Sequence, residues 1–471
     1  MRLLDALRGL LPPAESRKDE RALLLVATIF CVSRALAWAA GVRFDAADLP
    51  SFWHFAPLHL LETRLAETVF YLHFQPPLFN LFLGCVLAIF GSSSSVGFGV
   101  SFFLLGLATV LTLFVFMRRV GVGLRSAFVL TLLFALCPGT LLFETYLFYE
   151  LPVAALLVFG ALSFHVALER GSIRAWAVFF ALVMMLVLTR ALFHPVVLAL
   201  SALVPAAILA RQRRAILFGF AGPALLVFAV CSKNWLLFDS FGTSSWLGIG
   251  LARMTLRNID GEKKAAWVRE GAVSPVAAIH PPSPLESYAR VMRLPEPTGI
   301  PVLDEPQKPG GDLNLHHLAY ARISKTLLAD DWVALRREPG VYLATVRAAF
   351  ARFFRPVSTW HPVARNRRHL GLFDRAYNTL FHFGERGGPM LVVFPSAMLW
   401  GLTRLRRRSL GAEQRAVIGL MLATMAYVLA SGTLLEPLEN MRFRYAVEPY
   451  LWTLVGLFTS SWQSPGAQVS H

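Results

Sequence analysis

A chain of 471 residues that is 56% apolar and 12% aromatic, with a mean hydropathy of +0.55, does not describe a soluble globular protein. Several of its apolar runs exceed the roughly 18 residues that a bilayer-crossing helix needs, so it reads as a polytopic membrane protein. The net charge of +16 does not indicate nucleic acid, because many Lys and Arg stand in short clusters between apolar runs, where positive charge governs orientation during insertion. Cys31, Cys85, Cys137 and Cys231 lie far apart, each in or beside an apolar run, and read as small hydrophobes rather than a disulfide set or metal site.

In chain order, residues 1–21 carry charge before and after short apolar pieces and lack a small-residue cleavage site, which predicts a retained first helix behind a cytoplasmic N-terminus. Basic clusters follow at Arg118, Arg119 and Arg125, at Arg170 and Arg174, at Arg211, Arg213 and Arg214, and at Arg404 through Arg408. With every cluster on the cytoplasmic side, the predicted spans are 22–42, 97–116, 127–147, 151–168, 175–192, 194–210, 215–232, 389–403, 415–433 and 446–462. The expected fold is all-α, with about ten transmembrane helices and both ends inside. It divides into an N-terminal module over 22–232, an outer region over 233–388, C-terminal helices over 389–462 and a cytoplasmic tail over 463–471.

The first outer loop, 43–76, mixes Asp45, Asp48, Glu62 and Glu67 with Phe52, Trp53, Phe55 and Leu60, a composition suited to helices lying in the interface. The apolar segment behind Gln75-Pro76-Pro77 is only fifteen residues to Gly91, short for a crossing. Counting it as one would also put Arg118 and Arg119 outside, so 77–91 is expected to be re-entrant or juxtamembrane, with the Pro-Pro break on a cavity wall. The plainer reading of that break is an ordinary helix start with proline in its first turn. The second outer region contains nine prolines between Pro275 and Pro309, then a helical pattern from Asn314 to Arg355. It carries 21 Lys and Arg against 14 Asp and Glu, a surplus of seven that suits an anionic partner at the outer surface. No internal repeat of fixed period is evident, which argues against a transporter built from matched halves.

Ionisable residues within spans or at their ends are costly unless they face a cavity or a partner. Arg34 interrupts the first span; Glu144, Glu150, Arg190, His194, Lys233, Asn234, Glu436, Glu439, Arg442 and Arg444 all map to the outer ends. Any one of them reads equally as an interfacial anchor, but their gathering on one face opposite an acidic first loop suggests a shared site. Arginine or lysine at the interface grips a lipid phosphate, and a nearby carboxylate takes a proton from an attacking hydroxyl. Displacing a sugar from a lipid phosphate needs both.

The order of these elements resembles that in membrane-embedded C-type glycosyltransferases, among them protein O-mannosyltransferases and lipid A aminoarabinose transferases. The likeness rests on Arg34, the acid at Asp45 or Asp48, "HFQPPLFN", "RRVGVGLRS", "LTRALFHPVVL", "SKNWLLFDSFGTSSWLGIGL" and "NMRFRYAVEPYLW". It implies an inverting transfer from a polyprenyl-phosphate sugar to an extracytoplasmic acceptor, whether lipid, glycan or protein, at a bacterial inner membrane. It also implies a base at Asp45 or Asp48, a second acid at Glu144, and carrier-phosphate contacts at Arg190, Lys233 and Arg442 or Arg444. Asn234 and Glu439 belong to the same outer turns. Gln75 stands where the lipid A enzymes have lysine, which leaves His73 and Gln75 as polar contacts of unassigned role. No sequon-reading signature is present, so N-glycosylation is not expected. "DAAD" lacks the companion cluster that a divalent metal requires, and no cofactor is assigned. A transporter or flippase of lipid-linked sugars, and an O-antigen ligase or polymerase, are the alternatives; a transporter should concentrate polar residues near the midplane rather than on one face.

Overall fold

The computed structural model describes residues 16–406 and 410–462. The N-terminal residues 1–15, the arginines 407 and 408 of the last basic cluster and the tail 463–471 lie outside the described residues. The described chain is all-helical, with isolated bridges at Asp45–Tyr146 and Gln307–Leu313 in place of any sheet.

The elements are α1 (Ser16–Ala39), α2 (Leu58–Thr63), α3 (Leu65–Tyr71), α4 (Pro77–Phe90), α5 (Ser94–Arg119), α6 (Leu124–Ala135), α7 (Pro138–Glu144), α8 (Glu150–Arg170), α9 (Ile173–Thr189), α10 (Val196–Ile208) and α11 (Arg213–Phe238). After these come α12 (Leu247–Met254), α13 (Gly261–Arg269), α14 (Leu285–Ala289), α15 (Pro301–Asp304), α16 (Leu318–Arg337), α17 (Pro339–Phe353), α18 (Ala364–His382), α19 (Gly388–Arg406), α20 (Ala412–Leu435) and α21 (Met441–Trp462). Among the described residues, five helical stretches are long and apolar enough to cross a membrane: Arg17–Ala39, Pro77–Arg119, Glu150–Arg170, Ala210–Phe238 and Ala412–Leu435. The pair α6 and α7, bent by 55° at Cys137-Pro138, makes a sixth if it counts as one span. Local chemistry sets the turns between helices. Gly171, at φ 59°, ends α8, and Ser172 then caps α9 by accepting from Ala175 N at 3.3 Å.

Pro77–Arg119 is not one straight rod. Residues 82 and 98 of a continuous helix would be about 24 Å apart, yet the Phe82 and Phe98 rings are 5.9 Å apart and Phe82 also meets Phe102 at 6.4 Å. The chain doubles back at Gly91, which takes φ 51° and ψ −126°. Only α5, with 26 residues and a length of about 39 Å, is left as the full-length span of that stretch. Because Phe44, just beyond α1, packs edge-on against Phe102 at 5.4 Å, α4 lies beside the same end of the bundle as the loop over 43–57.

The two ends of the bundle are chemically distinct. At one, Arg118 bonds the fully buried Asp19 at 2.7 Å, Arg119 bonds Glu169 at 2.9 Å, Gln212 donates to Leu168 O, and Gln414 donates to Val120 O. Four basic clusters meet there. At the other end, Asp45 N bonds Thr145 O, Asn366 bonds Arg43 O, and Glu150 binds Arg190 and Arg442.

Residues 246–337 form a second, smaller core beside that second end, built on Ile249, Leu256, Tyr288, Tyr320 and Leu327 with Phe74 inserted from the first loop. Glycine is required where α12 crosses α16. A Cβ on Gly248 would fall 1.7 Å from the carbonyl oxygen of Ser324, which is rigid backbone. Gly248→Ala should therefore destabilise this region by about 1–3 kcal/mol, visible as a lowered midpoint in thermal unfolding; an unchanged midpoint would refute the close crossing.

Candidate functional site

A cavity of about 470 Å³ opens at the end opposite the basic clusters. Its walls come from the turn after α9, the loop after α11, α12, and the hairpin from α20 into α21, and residues 53, 54 and 75 also reach it.

Glu150, the first residue of α8, organises the wall. It is fully buried, accepts from Arg190 Nη1 at 2.5 Å and accepts from Arg442 Nη1 at 2.9 Å. Arg442 also meets Glu439, which is one-third exposed, at 3.2 Å. Two guanidinium groups thus share one buried carboxylate, and each keeps a buried N–H without an acceptor: Arg190 Nη2 and Arg442 Nε. Unmatched buried donors of this kind are costly. Aromatic faces hold both groups in place: Arg190 lies over Phe443 at 4.1 Å, and Arg442 lies over Phe148 and Trp360 at 5.2 Å each.

The neighbouring wall carries a buried two-pronged pair, Arg253 with Glu436, at 3.0 and 3.3 Å. Glu436 also accepts from the backbone N–H groups of Leu438 and Glu439, which fixes the turn ahead of α21. His54 lines the cavity, with its Nδ1 unpartnered. Burial, and then the nearby cations Arg442, Arg190, Arg253 and Lys308, hold its imidazole pKa well below the usual value, so it remains neutral. Arg253 and His54 were not among the residues singled out from sequence. Arg253 had a signal, as a lone charge closing the apolar, glycine-rich "LGIGLAR"; His54 is one of many loop histidines and had none.

Of the residues singled out from sequence, Gln75, Arg190, His194, Glu436 and Arg442 line the cavity, with Glu439 bonded to Arg442. Asp48 accepts from the Tyr146 hydroxyl at 2.6 Å. Asp45 is held by backbone bonds to Thr145 and Leu147, accepts from Ala47 N at 3.0 Å and lies 3.9 Å from Arg365. Neither Asp lines the cavity, and one aromatic layer separates them from it. Tyr146 meets Trp360 edge-on at 5.4 Å, and Arg442 stacks on the same Trp360. Burial, and then its bond to Asp48, push the Tyr146 phenol pKa up, so the tyrosine stays a proton donor to that carboxylate.

The remaining residues hold structure in place. Lys233 Nζ donates to Phe70 O and Leu72 O at 2.8 Å, closing the end of α3, and Asn234 donates to Gly242 O. Arg444 bonds Glu448 at 3.1 Å and the carbonyls of Phe353 and Arg355. Glu144 does not reach the cavity, because Arg34 from the first span takes both of its oxygens, at 2.7 to 3.1 Å. Glu144→Gln leaves Arg34 as an unpaired buried cation, and an expected loss of about 3–5 kcal/mol should appear as poor yield of folded protein. The double variant Arg34→Met/Glu144→Leu should recover much of that yield.

His73 is locked between Ser245 Oγ at Nδ1 and the His316 carbonyl at Nε2, each at 2.8 Å. A carbonyl only accepts, so Nε2 carries the proton and Nδ1 accepts. Burial brings the imidazole down to about 3. The unfolded chain then binds an extra proton between about pH 6.5 and pH 3, so His73 supports the fold above about 6.5 and opposes it progressively below. The melting temperature should fall on acidification across that window, with a shallower slope in His73→Gln; equal slopes would overturn the assignment.

Among the described residues no three of His, Cys, Asp and Glu stand together as a metal site. Comparison with known proteins returns no match: no family model, no curated protein and no solved structure is similar to this chain.

Proposed function

We propose that the chain is an integral membrane glycosyltransferase that moves a sugar from a polyprenyl-phosphate carrier to an extracytoplasmic acceptor, with inversion, at a bacterial inner membrane. The observation that carries this reading is the buried pair Arg190 and Arg442, sharing Glu150 on a cavity wall with one unmatched N–H each. Phosphate oxygens meet that demand. Charge on the phosphate grows as the sugar–oxygen bond breaks, so the guanidinium groups stabilise the transition state more than the bound donor. The acceptor oxygen bonds to the anomeric carbon, the bonding pair to the phosphate oxygen departs with the carrier, and the acceptor proton passes to Asp48, which the Tyr146–Trp360 layer must uncover because Asp48 does not itself line the cavity. Asp48 is preferred to Asp45 because Tyr146 orients it and joins it through Trp360 to Arg442. In this assignment Glu144, Lys233, Asn234, His73 and Arg444 position the site without touching substrate.

In the same reading the basic end faces the cytoplasm, and the helices alternate between the two ends in ten crossings. The short α9 and α10 are two of these, and α4 stays at the outer face. The cavity's position at one end, rather than at mid-bundle, favours surface chemistry over transport. Purified protein with a radiolabelled polyprenyl-phosphate sugar and a cell-envelope extract should release the carrier in step with labelling of an acceptor. Movement of the labelled lipid across liposomes without bond cleavage would replace this reading with a flippase.

A further inference from the structure

Helix α18 is built inside out. The buried residues of α18 are Leu370 and four polar ones: Asn366, ahead of the break at Gly371 (φ 46°), and Asp374, Asn378 and His382, four residues apart beyond it. Each of the four has an internal partner: Arg43 O for Asn366, Arg367 for Asp374, Ser358 for Asn378 and Phe354 O for His382. The outward face instead carries Leu372 and Leu380, 76% and 69% exposed, with Phe373 and Phe383. A helix in water has the opposite arrangement. An exposed apolar face of this size on a helix whose inner face is polar implies that its surroundings are not water.

The helix also lies at a defined level. Asn366 bonds both the N–H and the carbonyl of Arg43, and a Cβ on Gly41 would strike His369, so its N-terminal half sits against the end of the first membrane-length helix. Trp38, the exposed aromatic of that end, is stacked under Arg43 at 4.4 Å, as expected at the boundary between hydrocarbon and headgroups. Arg368, Arg375 and Arg386 are exposed there and make no ion pair among the described residues.

We propose that α18 is an interfacial helix that binds phosphate-bearing lipid headgroups of the leaflet at the cavity end, with Leu372, Phe373, Leu380 and Phe383 in the acyl layer and Arg368 and Arg375 on the phosphates. Opposite charge selects an anionic lipid over a zwitterionic one.

Two measurements on the full chain in nanodiscs test it. A nitroxide on Leu380→Cys, with Cys31 and Cys85 changed to serine, should be relaxed by oxygen and shielded from an aqueous nickel chelate; the reverse preference overturns the proposal. With spin-labelled lipids, phosphatidylglycerol should be enriched over phosphatidylcholine in the motionally restricted fraction by roughly twofold or more. Arg368→Gln/Arg375→Gln should reduce that enrichment at an unchanged melting temperature. An enrichment that survives the double change refutes the headgroup assignment. Excess inorganic phosphate at constant ionic strength should have no effect; loss of enrichment there would identify the ligand as the free ion and overturn the lipid assignment.

Discussion

Asp48→Asn is expected to slow sugar transfer by about 10²–10⁴-fold while leaving expression, melting temperature and carrier binding at their normal values. The amide keeps the size of the carboxylate and an oxygen for the Tyr146 hydroxyl, so the 2.6 Å contact has a replacement. What it loses is the capacity to take a proton. Asp45→Asn should cost less than tenfold, because Asp45 is fixed mainly through its own backbone, in bonds to Thr145 and Leu147 that the change does not touch. Single-turnover release of carrier from both variants is the measurement. If neither change slows transfer by at least tenfold, about 1.4 kcal/mol of barrier, the base lies elsewhere. A fall in melting temperature that parallels the loss of rate would reassign Asp48 to structure.

Arg442→Gln should lower transfer by about 10²–10³-fold, with Arg190→Gln close behind and both weakening carrier binding. Neither change strands a charge, since Glu150 keeps the other arginine at 2.5 or 2.9 Å. Glu150→Gln differs in kind. It leaves two buried guanidinium groups side by side without their shared anion, and the expected cost of about 3–5 kcal/mol falls on folding. The diagnostic contrast is folded, inactive protein for the arginine variants and poorly folded protein for the glutamate variant. Folded and active protein from all three would remove the phosphate assignment.

The all-helical fold was legible because long apolar runs punctuated by arginine clusters leave little choice, and the junctions at Gly171-Ser172 and Pro77 follow turn and capping chemistry; of the ten spans expected, the described residues supply five that are long and apolar enough to cross, or six with the bent pair. The short α4 was legible by length alone, though its fold-back at Gly91 depends on Phe82 meeting Phe98, a contact that periodicity does not encode. Arg190 and Arg442 stood out as charges at apolar ends. Their convergence on Glu150 did not, because nothing local to "FYELP" names partners 40 and 292 residues away. The same limit misplaced Lys233 and Glu144, whose charge drew attention but whose partners are backbone carbonyls and Arg34. The inverted polarity of α18 was legible in neither composition nor pattern. A stripe of Asn, Asp and His looks solvated until its partners are known.

The Arg34–Glu144 pair has a consequence for how the protein is made. An arginine in a spanning segment adds at most roughly 2.5–3.5 kcal/mol to its insertion, the full cost applying at the centre; Arg34 lies one turn inside the end of α1, and its neutralising glutamate is 110 residues downstream. During synthesis the first hydrophobic segment must therefore be kept in a sheltered, polar-tolerant setting until residue 144 has left the ribosome. Release of this segment into the bilayer is in that way coupled to arrival of α7, which carries Glu144, and nascent chains truncated before residue 144 should cross-link to the insertion machinery rather than to lipid.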